Sequence, residues 1–192
     1  MNILAIDTTS TGLSIALVKN GEIFSYTKEI GKSGHSATLM PSVKDMLDTH
    51  DVAVDDLDAI GVVVGPGSFT GIRIGVSAMT ALAFATGAKR IAITAFELIS
   101  YNRQCVLAGV DAGHGNLYLA ECVDGKVAKQ SFVEKGQLSA SDAAKIEFSS
   151  LASVDKTLAE VAAIKAKNGE FVSVFEPFYM RKSQAEREKD EV

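Results

Sequence analysis

The chain has 192 residues, 47% hydrophobic and 22% charged, which are the proportions of a folded protein with a buried core and not of a disordered segment. A formal net charge of -5 argues against a chain that grips a nucleic-acid backbone by itself, because that affinity comes from clustered Lys and Arg. Cys105 and Cys122 lack C-x-x-C spacing, so neither a disulfide framework nor a thiolate zinc site is indicated, and a reducing compartment fits.

The opening MNILAID enters an apolar strand with no basic stretch before it, and no apolar run approaches the roughly 20 residues of a membrane span. Neither leader nor anchor is expected, and a cytoplasmic placement follows. Residues 2–6 read as a strand ending in Asp7, DTTSTG turns the chain, and 13–18 form a second strand. Asn20-Gly21 is the pair that tolerates the two positive φ angles of a type I′ hairpin, and a third strand follows over 22–27.

From 33 to 48, Leu39, Met40, Val43, Met46 and Leu47 paint one helical stripe, with Pro41 expected to bend it or to delay its start to Met40. Residues 59–64 form a buried strand. The loop GPGSFTG leads into a helix over 72–86, with Ser68 or Thr70 as its cap and Gly87 as its stop. A strand over 90–94, a small helix over 95–103 and a strand over 105–110 come next. Beyond 135 the pattern is helical from 139 to 154 and from 156 to 167.

Laying the second half on the first at an offset of 104 places Asp111 on Asp7, Leu117 on Leu13, Leu119 on Ile15, Asp124-Gly125 on Asn20-Gly21 and Val127 on Ile23. The ungapped register repeats a strand-ending aspartate, the alternating strand after it and the hairpin turn after that. Such a duplicated unit resembles the two ribonuclease H-like halves of the actin, hexokinase and Hsp70 superfamily. The resemblance implies an α/β fold of two lobes, residues 1–103 and a reduced second lobe with a tail over 104–192. It also implies that the aspartates face nucleotide phosphates in the cleft between the lobes.

Several constellations bear on chemistry. A Gly-rich turn between strand and helix suits an anion, and Gly67 and Ser68 are candidates for it. The loop is not a Walker A sequence, because five residues separate Gly65 from Gly71 and Ile72 stands where Lys is needed. Nor is it a nucleophile elbow, since Pro66 and Thr70 occupy the flanking glycine positions. The alternative is that these glycines only permit a tight turn and close helix packing. Asp7, Thr8, Thr9 and Asp111 are candidates for vestigial phosphate contact, against the alternative that each aspartate caps its own turn. His35, His50 and His114 show no helical pair of metal ligands, and no metal is expected. The helix over 72–86 is apolar on nearly every side, which suggests cover from more than its own sheet.

Taken together, ILAIDTTSTGLSIAL, HSATLMPSVKDML, GPGSFTGIRIG and the late EPFYMRKSQAE resemble the bacterial YeaZ family, also called TsaB. The resemblance implies a non-catalytic scaffold that pairs its first two helices with those of a TsaD-type catalytic subunit, or with a second copy of itself when alone. A TsaE-type ATPase then joins, tRNA is met only through the complex, and adenosine 37 is threonylcarbamoylated. Carried onto this sequence, the docking candidates are His35, Leu39, Val43, Met46 and Leu47 on one helix and Arg73, Val76, Met79 and Thr80 on the other. It implies no cofactor of the chain's own beyond weak ATP or ADP binding, no membrane, and a trimmed second lobe. The chain departs from the family after Asp111, where Gly113 and Asn116 stand in place of the expected Arg and Glu. Two alternatives stand beside this reading: a glycoprotease-like metallopeptidase, and a small ATPase or kinase of the same fold.

Overall fold

The computed structural model describes residues 1–30, 34–134, 136–148 and 154–181. Its first sheet has the order β3-β2-β1-β4-β5, built from β1 (Asn2–Asp7), β2 (Gly12–Lys19), β3 (Glu22–Glu29), β4 (Ala59–Gly65) and β5 (Lys89–Thr94). β1 pairs antiparallel with β2 and parallel with β4, so the aspartate end of β1 lies at the sheet's centre. The second sheet has the order β8-β7-β6-β9, from β6 (Cys105–Gly113), β7 (Asn116–Val123), β8 (Lys126–Val133) and β9 (Ile146–Phe148).

The offset of 104 seen in the sequence is the register of the fold: β2 maps onto β7 and β3 onto β8 residue for residue. β9 pairs parallel with β6 as β4 does with β1. Asn20 and Gly21 have φ of 51° and 91°, and Asp124 and Gly125 have φ of 48° and 75°, the successive left-handed residues that a type I′ turn demands.

Alternation along the strands decides which helices cover which face. Leu4, Ile6, Leu13, Ile15 and Leu17 pack under α1 (Gly34–Thr49) and α2 (Phe69–Thr86). On the other face Ile3, Ala5, Ala16 and Val18 meet Leu158, Ala159 and Ala162 of α5 (Val154–Lys167). A helix from the second half of the sequence therefore closes the first sheet. α3 (Ala95–Ser100) carries a capping box between Thr94 and Glu97 and brings Phe96 and Ile99 against Ala108 and Ala120 of the second sheet.

α2 is capped by the Ser68 side chain and stops at left-handed Gly87, as expected. α1 runs unbroken from Gly34 with Pro41 inside it, so Pro41 neither ends nor delays it, and the expected start at 33 lies outside the described residues. The helical stretch expected over 139–154 is reduced to α4 (Ala140–Ala143), because 146–148 pair with β6 instead; 149–153 lie outside the described residues. Among the described residues one helix, Phe69–Thr86, is long and apolar enough by composition to cross a membrane, and only 33% of it is buried. Its inward side is core, so the excess apolarity lies on the opposite side.

Residues 170–181 run along the molecule as a strap. The Val172 amide donates to the Arg90 carbonyl at 2.9 Å, and the Phe178 amide donates to the Val64 carbonyl at 2.8 Å. Phe175 is buried in the core between the first sheet and α1 and α2, Met180 packs on the cluster around Phe96 and Ile99, and the Arg181 guanidinium lies 4.5 Å from the ring of Phe132 on β8. The tail motif beyond 181 lies outside the described residues.

Candidate functional site

The ends of β1 and β6 meet across a cavity of about 740 Å³ that brings together Asp7, Thr9, Ser68, His35 and Asp111 with Ile30, Leu98, Val110 and Phe148. Its polar groups come from both turns of the repeat, from the start of α1 and from the loop before α2. Its apolar wall comes from α3, β6, β9 and Ile30 just after β3.

The two aspartates are held alike. Oδ1 of Asp7 accepts from the Thr9 amide at 2.7 Å and from the Thr9 hydroxyl at 2.7 Å, while Oδ1 of Asp111 accepts from the Gly113 amide at 2.8 Å. Each closes its own turn two residues on. Asp7 is 6% exposed, and burial pushes its carboxyl above the usual range, against the pull of the Thr9 donors and of His35. His35, in the first turn of α1, places Nε2 3.1 Å from the Gly12 carbonyl. A carbonyl only accepts, so Nε2 carries a proton, and Nδ1 keeps its lone pair when the ring is neutral.

The glycine loop explains itself by packing. A side chain on Gly67 meets the Thr9 carbonyl at 2.5 Å, and one on Gly71 or Gly75 collides with Thr8. These glycines let α2 lie directly on the β1–β2 turn. That contact also occupies three of the donors that an anion could use. The Ser68 amide donates to the Thr9 carbonyl at 2.7 Å, the Gly71 amide to the Ser68 hydroxyl at 3.2 Å and the Ile72 amide to the Ser68 carbonyl at 2.8 Å. Thr8 is fully buried beneath α2 with its hydroxyl on the Gly71 carbonyl, so the phosphate contacts expected of Thr8 and Gly67 are corrected: neither lines the cavity.

The nucleotide that the fold class implies is a poor match for this cavity. Two carboxylates and no Lys or Arg line it among the described residues, and the Ser68, Gly71 and Ile72 amides of the loop are already engaged. Among the described residues no group of three His, Cys, Asp or Glu side chains is placed to hold a metal.

The residues expected to dock a partner separate into two sets. Leu39, Val43, Met46, Leu47, Val76 and Met79 are 0–7% exposed in the core above the first sheet. The contact role expected of these six is corrected, because their stripe is the one that the chain's own sheet encloses. His35 faces the cavity. Arg73 is exposed and Thr80 half-buried, both on the outward side of α2. There Ser77, Ala81 and Phe84 continue a line, with Phe84 84% exposed. Arg73 Nε donates to the Tyr179 hydroxyl at 3.2 Å, and its guanidinium lies 4.1 Å from the Phe69 ring. Sequence reasoning missed Phe84 as the exposed anchor, because α2 is apolar on nearly every side and its pattern gives little phase.

The profile of the family described as "TsaD: tRNA N6-adenosine threonylcarbamoyltransferase" matches residues 28–145. The structure of YeaZ from Pseudomonas aeruginosa superposes with a TM-score of 0.76 at 25% identity, over 93% of this chain and 99% of that one. The chain belongs to the TsaB/YeaZ family.

Curated relatives agree. The tRNA threonylcarbamoyladenosine biosynthesis protein TsaB of Bacillus subtilis (strain 168) is 38% identical over 102 residues, 53% of this chain and 44% of that protein. TsaB of Escherichia coli (strain K12) is 33% identical over 127 residues, 63% of this chain and 54% of that protein. The chain thus spans about half the length of the curated relatives it matches. The duplicated sheets and the cleft between them are the ribonuclease H-like, actin-like fold that the repeat implied.

Proposed function

We propose that the chain is a non-catalytic subunit of tRNA threonylcarbamoyladenosine biosynthesis, docking on a TsaD-type catalytic subunit through the outward side of α2. The relatives' names supply the pathway, and the matched TsaD profile supplies a partner of like fold. The observation that carries the docking reading is α2 itself: a helix apolar throughout, one third buried, with Phe84 84% exposed. Small residues Ser77 and Ala81 let a second helix approach closely, Phe84 supplies an aromatic anchor and Arg73 a cation.

The chain contributes surface rather than chemistry. Its cavity offers two carboxylates that each close their own turn, and among the described residues no Lys or Arg lines it to steady a transferring phosphoryl group. A second copy of the chain occupies the same side of α2 when TsaD is absent, and a TsaE-type ATPase and tRNA join through the complex.

Co-expression with the TsaD-type subunit of the same organism tests this. Phe84→Asp or Ala81→Arg is expected to abolish co-purification while changing stability by no more than about 0.5 kcal/mol, as for a surface site. Retention of the complex by both folded variants moves the docking surface off α2.

A further inference from the structure

We propose that the cleft between the two sheets is a binding site for an organic cation with an apolar body, whose ammonium or amidinium group pairs with Asp7. The site is separate from the outward side of α2 and does not depend on the docking reading.

The argument begins with one atom. Asp7 is 94% buried by its 6% exposure, and its Oδ1 is taken by both donors of Thr9. Oδ2 has no hydrogen-bond partner among the described residues, and Asp7 lines the cavity, so Oδ2 is the side-chain atom left to face it. Oδ2 therefore opens onto the cleft without a protein donor among the described residues, and a charged donor entering the cavity would form a charge-assisted hydrogen bond with it.

The surroundings agree in sign. Asp111 adds a second carboxylate across the cleft, and His35 has its Nε2 held on the Gly12 carbonyl. No Lys or Arg side chain lines the cavity among the described residues. The same two carboxylates repel a polyphosphate, and the Ser68, Gly71 and Ile72 amides of the loop are already taken by Thr9 and Ser68. Ile30, Leu98, Val110 and Phe148 also line the cleft and offer surface to an apolar or aromatic body. The cavity, at about 740 Å³, is of the size that holds small ligands.

The test uses the full chain and three probes: benzylamine, the isosteric neutral benzyl alcohol, and ATP with magnesium. Binding is followed by amide chemical shifts. Benzylamine is expected to bind saturably with shifts centred on the cleft, at least about tenfold tighter than benzyl alcohol, the ratio that a charge-assisted hydrogen bond gives. Asp7→Asn keeps an Oδ1 for the Thr9 donors, so the turn is preserved, and the variant is expected to lose the same factor for the amine and none for the alcohol. Equal affinity for amine and alcohol overturns the proposal. So does undiminished amine binding by folded Asp7→Asn, or cleft-centred binding of ATP with magnesium in preference to the amine.

Discussion

Asp7 and the glycines around it fix how the site is built. Burial raises the Asp7 carboxyl, so the folded chain holds that proton to higher pH than the unfolded chain does. The contribution to stability is fully present below the unfolded carboxylate value and is lost as pH rises through the folded one. Asp7→Asn removes this loss. Thermal melts from about pH 4 to about pH 8 should show the parent chain falling off relative to the variant as pH rises, whereas parallel curves contradict the assignment. Gly71 is a second residue-scale test, because a side chain there collides with the Thr8 carbonyl. Gly71→Ala is expected to cost about 1–3 kcal/mol in denaturant unfolding, as overpacking does. A neutral result means that α2 does not sit on the turn as closely as described. Sequence showed that these positions matter but left capping and phosphate contact open, because either role uses the same Asp and Gly. Only the hydrogen-bond partners distinguish them.

At the scale of the element, α2 was legible in its C-terminus and in one of its two candidate caps, but it begins at Phe69 rather than at 72, and which side it buries was not legible. Its composition is apolar all round, so periodicity alone gives little phase, and Met79 and Val76 look as available as Phe84. The sheet decides: Met79 is fully buried and Phe84 is 84% exposed. Met79→Glu should therefore cost several kcal/mol and leave little folded protein, because a buried charge without a partner is not tolerated. Circular dichroism melts would show it, and a well-folded Met79→Glu chain contradicts the assignment of that side to the core. β9 was missed for a different reason. Three residues, 146–148, are too few to show alternation, and their strand state comes from pairing with β6.

For the whole molecule, the duplication was legible because turns and alternation repeat without a gap, and strands β2 and β7, β3 and β8 keep the offset of 104. The cover of the first sheet was not. α5 reaches it from the second half of the sequence, and the strap over 170–181 ties the β5 edge, the end of β4 and the second sheet together. Such long-range closure leaves no local signal. Phe175, 3% exposed, is the strap's anchor in the first core, and Phe175→Ala should cost about 3–5 kcal/mol in urea unfolding. A loss under about 1 kcal/mol means that the strap adds little. The account rests finally on the outward side of α2 as the surface that another protein covers. Light scattering of the purified chain mixed with the TsaD-type subunit measures this directly. The parent chain is expected to give the mass of a complex of the two, while folded Phe84→Asp leaves the separate components. A complex of unchanged mass and affinity with Phe84→Asp and with Ala81→Arg would contradict it.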